Sequence, residues 1–139
     1  MTGEPSAVRR FLPPVVVMAV IFVLSHQPAD QLSLPSLPGM DKLAHAAIYG
    51  LLAITVIRAF SRITQQSRPG IVVTIAGLWC LLYGLSDEYH QSFVAGRFVS
   101  GLDVLADLVG ALIAGAIWLF YRQPACRKKG CSASEFVRK

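Results

Sequence analysis

Residues 102–121 read LDVLADLVGALIAGAIWLFY, twenty residues whose only charged side chains are Asp103 and Asp107. As an α-helix this length rises about 30 Å, the thickness of the hydrocarbon core of a bilayer. The two acids are four residues apart near one end, so a helix sets them on one face, with Asp107 about 6 Å deeper than Asp103. Below them come Gly110, Ala111, Ala114 and Gly115, small side chains that let a second helix approach closely within a membrane. The stretch predicts a span that carries carboxylates into one edge of the bilayer and packs against neighbours.

Three more apolar stretches lie upstream, at 11–25, 43–60 and 71–89. The first is short for a span and works only if its helix begins near Val8 or is shielded by its neighbours. Pro13 and Pro14 suit the start of that helix. Arg9-Arg10 ahead of an apolar run also suggests a signal peptide, but Ser25-His26-Gln27-Pro28 is a poor small-residue cleavage site, so an uncleaved first helix is expected. The composition agrees with lipid as solvent. Of the 139 residues, 54% are apolar and 15% charged, against about 25% charged in an ordinary soluble domain. The length supports one compact domain. No internal repeat or low-complexity run is visible. The expectation is an all-α membrane protein, a bundle of four transmembrane helices over residues 1–122, followed by a basic, disordered cytoplasmic tail over 123–139.

The net charge of +5 could suggest nucleic acid, but its placement argues for topology instead. Eleven of the thirteen basic residues fall before the first span, around the second connection, or after the fourth span; only Lys42 and Arg97 lie elsewhere. The positive-inside rule then puts both termini in the cytoplasm. The connections 26–40 and 91–101 face the other side. The first holds Pro28, Pro35 and Pro38 and reads as an extended or re-entrant segment. In the second, Ser100-Gly101-Leu102-Asp103 has an N-cap residue with an acid three positions on, which starts the fourth helix. The tail is able to lie against anionic headgroups. Cys80 is inside a span, and Cys126 and Cys131 are spare thiols in the tail without the second Cys/His pair that a zinc site needs.

Six of the eight acids fall on the extracytoplasmic side: Asp30, Asp41, Asp87, Glu88, Asp103 and Asp107. Ionisable groups at a span are costly and normally face the bundle interior. Asp41, His45 and Tyr49 form an i, i+4, i+8 stripe; Asp87 and Gln91 form another, with Glu88 beside it; Asp103 and Asp107 form a third. Five of these acids face only Lys42 and Arg97. That excess of negative charge requires protons, a cation, a water network or a positively charged ligand group. Simpler roles stand beside the functional ones. Asp103 can cap its helix, Arg97 can anchor at the interface or pair structurally, and His45 and Tyr49 can bond between helices. His26 and His90 read as surface histidines, and Trp79, Trp118 and Tyr83 as packing or lipid-facing groups.

Asp41-Lys42-x-x-His45-x-x-x-Tyr49, followed by Asp87-Glu88-x-x-Gln91-x-Phe93-x-x-Gly96-Arg97 and Asp103, resembles the signature of VanZ-like membrane proteins. The resemblance covers about residues 25–115. Two positions depart from it: Ala95 stands where Pro often precedes Gly-Arg, and Asp107 where Asn is common. The resemblance implies a multi-pass protein of the bacterial inner membrane linked to the cell envelope, in a family whose founding members are associated with reduced susceptibility to the glycopeptide teicoplanin. It leaves the mechanism and any cofactor unspecified.

On these residues the first expectation is a site that binds, or chemically modifies, a lipid-linked envelope component or a glycopeptide-type amphiphile at the outer leaflet. Glu88, Asp87 and His45 are the catalytic candidates, with Glu88 or His45 as general base. Asp41, Lys42, Tyr49, Gln91, Arg97, Asp103 and Asp107 are the binding candidates, Lys42 and Arg97 being suited to a phosphate or carboxylate. A metal-assisted hydrolase or transferase is an alternative, since His45 and the carboxylates have ligand chemistry, although no short metal motif occurs. The other alternative is a non-enzymatic scaffold or assembly partner whose polar cluster fixes helix packing. The expected partners are membrane lipids or a lipid-linked precursor, not nucleic acid, with oligomerisation left open.

Overall fold

Helix α2, Met40–Ala59, organises the bundle because one of its stripes has no contact with solvent or lipid. Tyr49, Leu52, Ala53, Val56 and Ile57 are all buried, and their i, i+3, i+4 spacing is that of one helical face. The structure, a computed structural model, describes residues 6–28, 39–97 and 99–127, with backbone only for 123–127. Within these residues the other helices are α1, Ala7–Ser25; α3, Arg62–Ser67; α4, Pro69–Gln91; and α5, Gly101–Arg127. There is no strand among the described residues. Four helices, all but α3, are long and apolar enough to cross a membrane. Large apolar side chains such as Phe11, Leu51, Leu82 and Ile113 are exposed on their outer surfaces, as a lipid-facing surface requires.

The closest approach in the bundle is between α2 and α5, and glycine makes it. A Cβ on Gly110 would collide with the backbone of Ala46, and one on Gly50 would stand 3.2 Å from the carbonyl oxygen of Gly110. The two helices therefore touch backbone to backbone, as the small residues of residues 102–121 predict. On the other side α5 meets α4, where a Cβ on Gly115 would fall 2.6 Å from Val73 Cγ1. Helix α1 joins along α2 and α4: the Tyr83 hydroxyl donates to the Met18 carbonyl at 2.7 Å, and Ile21 is buried in the core.

Several boundaries differ from the sequence expectation. Helix α1 begins at Ala7, so Pro13 and Pro14 lie inside it rather than at its start. Proline removes N–H groups that would bond the carbonyls of Arg9 and Arg10, a loss confined to the helix end, where polar surroundings can satisfy them. The second connection contains a short helix, α3. Ser61 caps it by accepting from the Thr64 N–H at 3.1 Å, and Gln65 Nε2 donates to the Phe60 carbonyl at 2.8 Å. Helix α5 continues through 123–127, residues read from sequence as the start of the tail. The remainder of that tail, most of the 26–40 connection including Asp30, and Glu4 lie outside the described residues.

The bundle has two chemically distinct ends. The C-termini of α1 and α4 and the N-termini of α2 and α5 form an acidic end. The opposite end, with α3, is basic.

Candidate polar site at the acidic end

At the acidic end the α2–α5 contact decides what His45 meets. One turn from the Gly110 crossing, His45 Nδ1 lies 3.0 Å from Asp107 Oδ1. An ionised carboxylate only accepts, so Nδ1 donates and Nε2 is the ring nitrogen left over. Asp107 is 1% exposed. Its other oxygen rests against the bare backbone of α4: a Cβ on Gly84 would stand 2.7 Å from Oδ2. That oxygen has no hydrogen-bond partner among the described residues.

Asp87 on α4 is buried and accepts twice through Oδ2, from Ser25 Oγ at 2.8 Å and from Gln91 Nε2 at 2.9 Å. Gln91 Nε2 is also 3.4 Å from Ser25 Oγ. Ser25 was read from sequence only as the end of a span. Its role was hidden because its acceptor lies 62 positions away, and a serine at a helix end carries no signal of its own.

Glu88, adjacent in sequence, goes elsewhere. Its Oε2 accepts the Ser100 N–H at 2.8 Å, capping the start of α5 from another helix. The expected acid of that cap, Asp103, instead accepts from Lys42 Nζ at 3.1 Å. Lys42 also donates to Asp41 at 2.9 Å. Glu88 Oε1 and the Tyr49 hydroxyl are buried without a partner among the described residues.

Arg97 lies after Gly96, whose φ of +75° is a left-handed conformation that glycine adopts without strain. The chain turns back there, and Arg97 clasps the end of α1, donating through Nε to the Gln27 carbonyl at 3.3 Å and through Nη2 to the Leu24 carbonyl at 3.1 Å. Leu24 is in the last turn of α1, whose carbonyls lack an intrahelical partner, and its oxygen also accepts the Gln27 N–H at 3.2 Å. Of His26 and His90, both read as surface histidines, the first is exposed and the second half-buried, and they meet each other at 3.2 Å. The His26 ring is stacked on Phe22 and the His90 ring lies tilted against it.

A cavity of about 250 Å³ opens between α1 and α2. Asp41, His45 and Tyr49 line it from α2, Ser25 from α1, Asp87 from α4, and Arg97 from the loop. Ile21, Leu24 and Ile48 give it an apolar wall. Of the ten sequence-predicted site residues, five meet in this cavity. Gln91, Asp107 and Lys42 hold cavity residues from behind or beside it. Asp103 pairs with Lys42, and Glu88 serves the α5 cap. The arrangement offers hydrogen-bond acceptors, one oriented imidazole and an apolar wall, suited to the head of an amphiphile. Among the described residues no group of three His, Cys, Asp or Glu side chains is arranged to hold a metal ion.

A family model described as VanZ/LLP1 matches residues 11–122. Searches of curated proteins and of solved structures gave no match to the chain.

Proposed function

The chain belongs to the VanZ/LLP1 family and is an integral membrane protein, and on that footing we propose that its acidic-end cavity binds the polar head of a lipid-linked cell-envelope component or a glycopeptide-type amphiphile. The observation that carries this reading is one juxtaposition. His45, fixed through Nδ1 by Asp107, shares a cavity with Asp87 and with the apolar side chains Ile21, Leu24 and Ile48. A histidine oriented by a buried carboxylate has its remaining nitrogen aimed by geometry, the arrangement that suits proton transfer to or from a bound group. The apolar wall suits the first part of an acyl or polyprenyl chain.

In this reading the acidic end faces the outside of a bacterial inner membrane. The charge distribution of the loops supports that orientation. His45 is the general base or the hydrogen-bonding partner of the ligand. Asp87 and Asp41 receive its donors, and Lys42 stands beside Asp41 for an anionic part. Arg97 acts by holding α1 over the cavity rather than by gripping a phosphate, since two of its nitrogens already bond carbonyls. Glu88 has a structural role at the α5 cap through Oε2 and offers Oε1 for catalysis.

The test is lipid profiling of cells with the gene, without it, and with His45→Gln or Glu88→Gln in its place, combined with teicoplanin susceptibility. His45→Gln should reproduce the deletion at unchanged membrane abundance. A fully active His45→Gln protein would remove the reading.

One observation favours a second reading, a non-enzymatic scaffold or assembly partner: Asp87 already holds two protein donors, which join α1 to α4. Under that reading Asp87→Asn lowers folded yield and no lipid species changes. Among the described residues the metal-assisted alternative has no corresponding geometric observation behind it.

A further inference from the structure

A second cavity, larger than the one above, is at the opposite end and is unrelated to that site. It measures about 740 Å³ and lies among the start of α1, the end of α2, α3 and the last turns of α5. Four arginines from four different helices line it: Arg10, Arg58, Arg62 and Arg122. Among the described residues its lining includes no carboxylate. Arg122 is stacked over the Trp118 ring at 5.1 Å, which fixes the guanidinium plane. Its Nη1 is buried without a hydrogen-bond partner among the described residues. Gln65 and Gln66 of α3 add neutral polar groups.

The rest of the lining is apolar. Ile54 and Ile117 lie along one wall, and Ile117 and Tyr121 are on the exposed, lipid-facing surface of α5. The cavity therefore joins a cationic floor to a hydrophobic rim at the level where headgroups meet acyl chains. Positive-inside topology needs bases somewhere in these loops. It does not need them to converge on a single hollow with an aromatic-backed guanidinium and a lipid-side apolar wall.

We propose that this basic-end cavity is a binding site for the phosphate-bearing headgroup of an anionic membrane lipid. Guanidinium groups pair with phosphate oxygens in two parallel hydrogen bonds, and Arg58 and Arg122 supply two such forks from α2 and α5. The first methylenes of the acyl chain run along Ile117 and Tyr121. Basic pockets between membrane helices are suited to such headgroups on electrostatic grounds. A bound lipid would tie the ends of α2 and α5 together at the end where they lack the close glycine contact of Gly50 and Gly110.

The experiment uses the full chain purified in a non-ionic detergent, carrying Trp79→Phe so that Trp118 is the remaining indole. Trp118 fluorescence is titrated with phosphatidylglycerol, with phosphatidylcholine and with inorganic phosphate. Phosphatidylglycerol should bind saturably and at least about tenfold more tightly than phosphatidylcholine, and inorganic phosphate at millimolar concentration should not displace it. The Arg58→Gln/Arg122→Gln double variant should weaken phosphatidylglycerol by about tenfold or more, and the matching double Lys variant by less. Equal affinity for the two lipids in the unmutated chain overturns the proposal whatever the variants do. So does undiminished affinity in the Gln variant. Displacement by inorganic phosphate overturns it in favour of a site for a water-soluble phosphate.

Discussion

His45 and Asp107 face each other across the α2–α5 interface with Nδ1 3.0 Å from Oδ1, and the carboxylate is the more deeply buried partner. A pair of this kind acts as a unit, because either residue alone leaves the other with an unmet polar group. His45→Gln and Asp107→Asn, singly and combined, should show a coupling energy of about 2 kcal/mol in ligand binding or activity. Asp107→Asn should retain the fold, because it preserves shape at a position where Asn is common in the resembled signature. Effects that add within about 0.5 kcal/mol would show that the two residues act independently.

Gly110 tests the contact that creates this pair. Gly110→Ala drives a methyl group into the Ala46 backbone, and backbone cannot rotate aside. The variant should lose about 1–3 kcal/mol or more, read as a lower melting temperature of the purified protein. Gly70→Ala, where a Cβ meets nothing within 4 Å, should stay within about 1 kcal/mol of the unmutated chain. An unchanged melting temperature for Gly110→Ala would show that α2 and α5 are further apart than described.

Asp87 separates the two functional readings. Asp87→Ala leaves Ser25 and Gln91 without their shared acceptor in a buried place and should cost about 2–4 kcal/mol. Asp87→Asn keeps one acceptor oxygen and should cost about 1 kcal/mol. A stable Asp87→Asn protein that has lost the lipid phenotype assigns the residue to ligand chemistry. A protein that loses both together assigns it to packing.

Topology is checked by cysteine labelling. In a Cys126→Ser/Cys131→Ser background the remaining thiol, Cys80, is buried. Phe93→Cys at the acidic end should react with a membrane-impermeant maleimide in whole cells, and Ile63→Cys on α3 should react only after the membrane is opened. Both positions are strongly exposed, so accessibility does not bias the comparison. The reverse pattern would put the acidic cavity on the cytoplasmic side.

The four spans were legible because twenty apolar residues in sequence have one stable fate in lipid. Their ends were less so. The start of α1 at Ala7 agrees with the need for a helix that begins near Val8, but α3 is held by Ser61 and Gln65, local bonds that an apolarity pattern does not report. Of the residues on the stripes, Asp41, His45, Tyr49 and Asp87 line one cavity. Which acid meets which donor was not legible. That depends on helix rotation and crossing depth, set here by Gly84 and Gly110, whose significance appears only once the facing helix is known. Ser25 was missed for the same reason, and so was the bond from Glu88, one of the three catalytic candidates, to the start of α5.

The clasp on α1 has a consequence for biosynthesis. Its fastenings join Met18, Ser25, Leu24 and Gln27 to Tyr83, Asp87 and Arg97, partners that are translated 62 to 73 residues later. A nascent chain that has emerged only through its second span can pack α1 on α2 but has none of these side-chain fastenings. The hollow between them still lacks Asp87 and Arg97. Completion of the second hairpin is therefore the event that seats the first segment, so ribosomal stalling or truncation before Arg97 should yield an inserted but loosely associated pair of helices, open to membrane proteases, instead of a partly working protein.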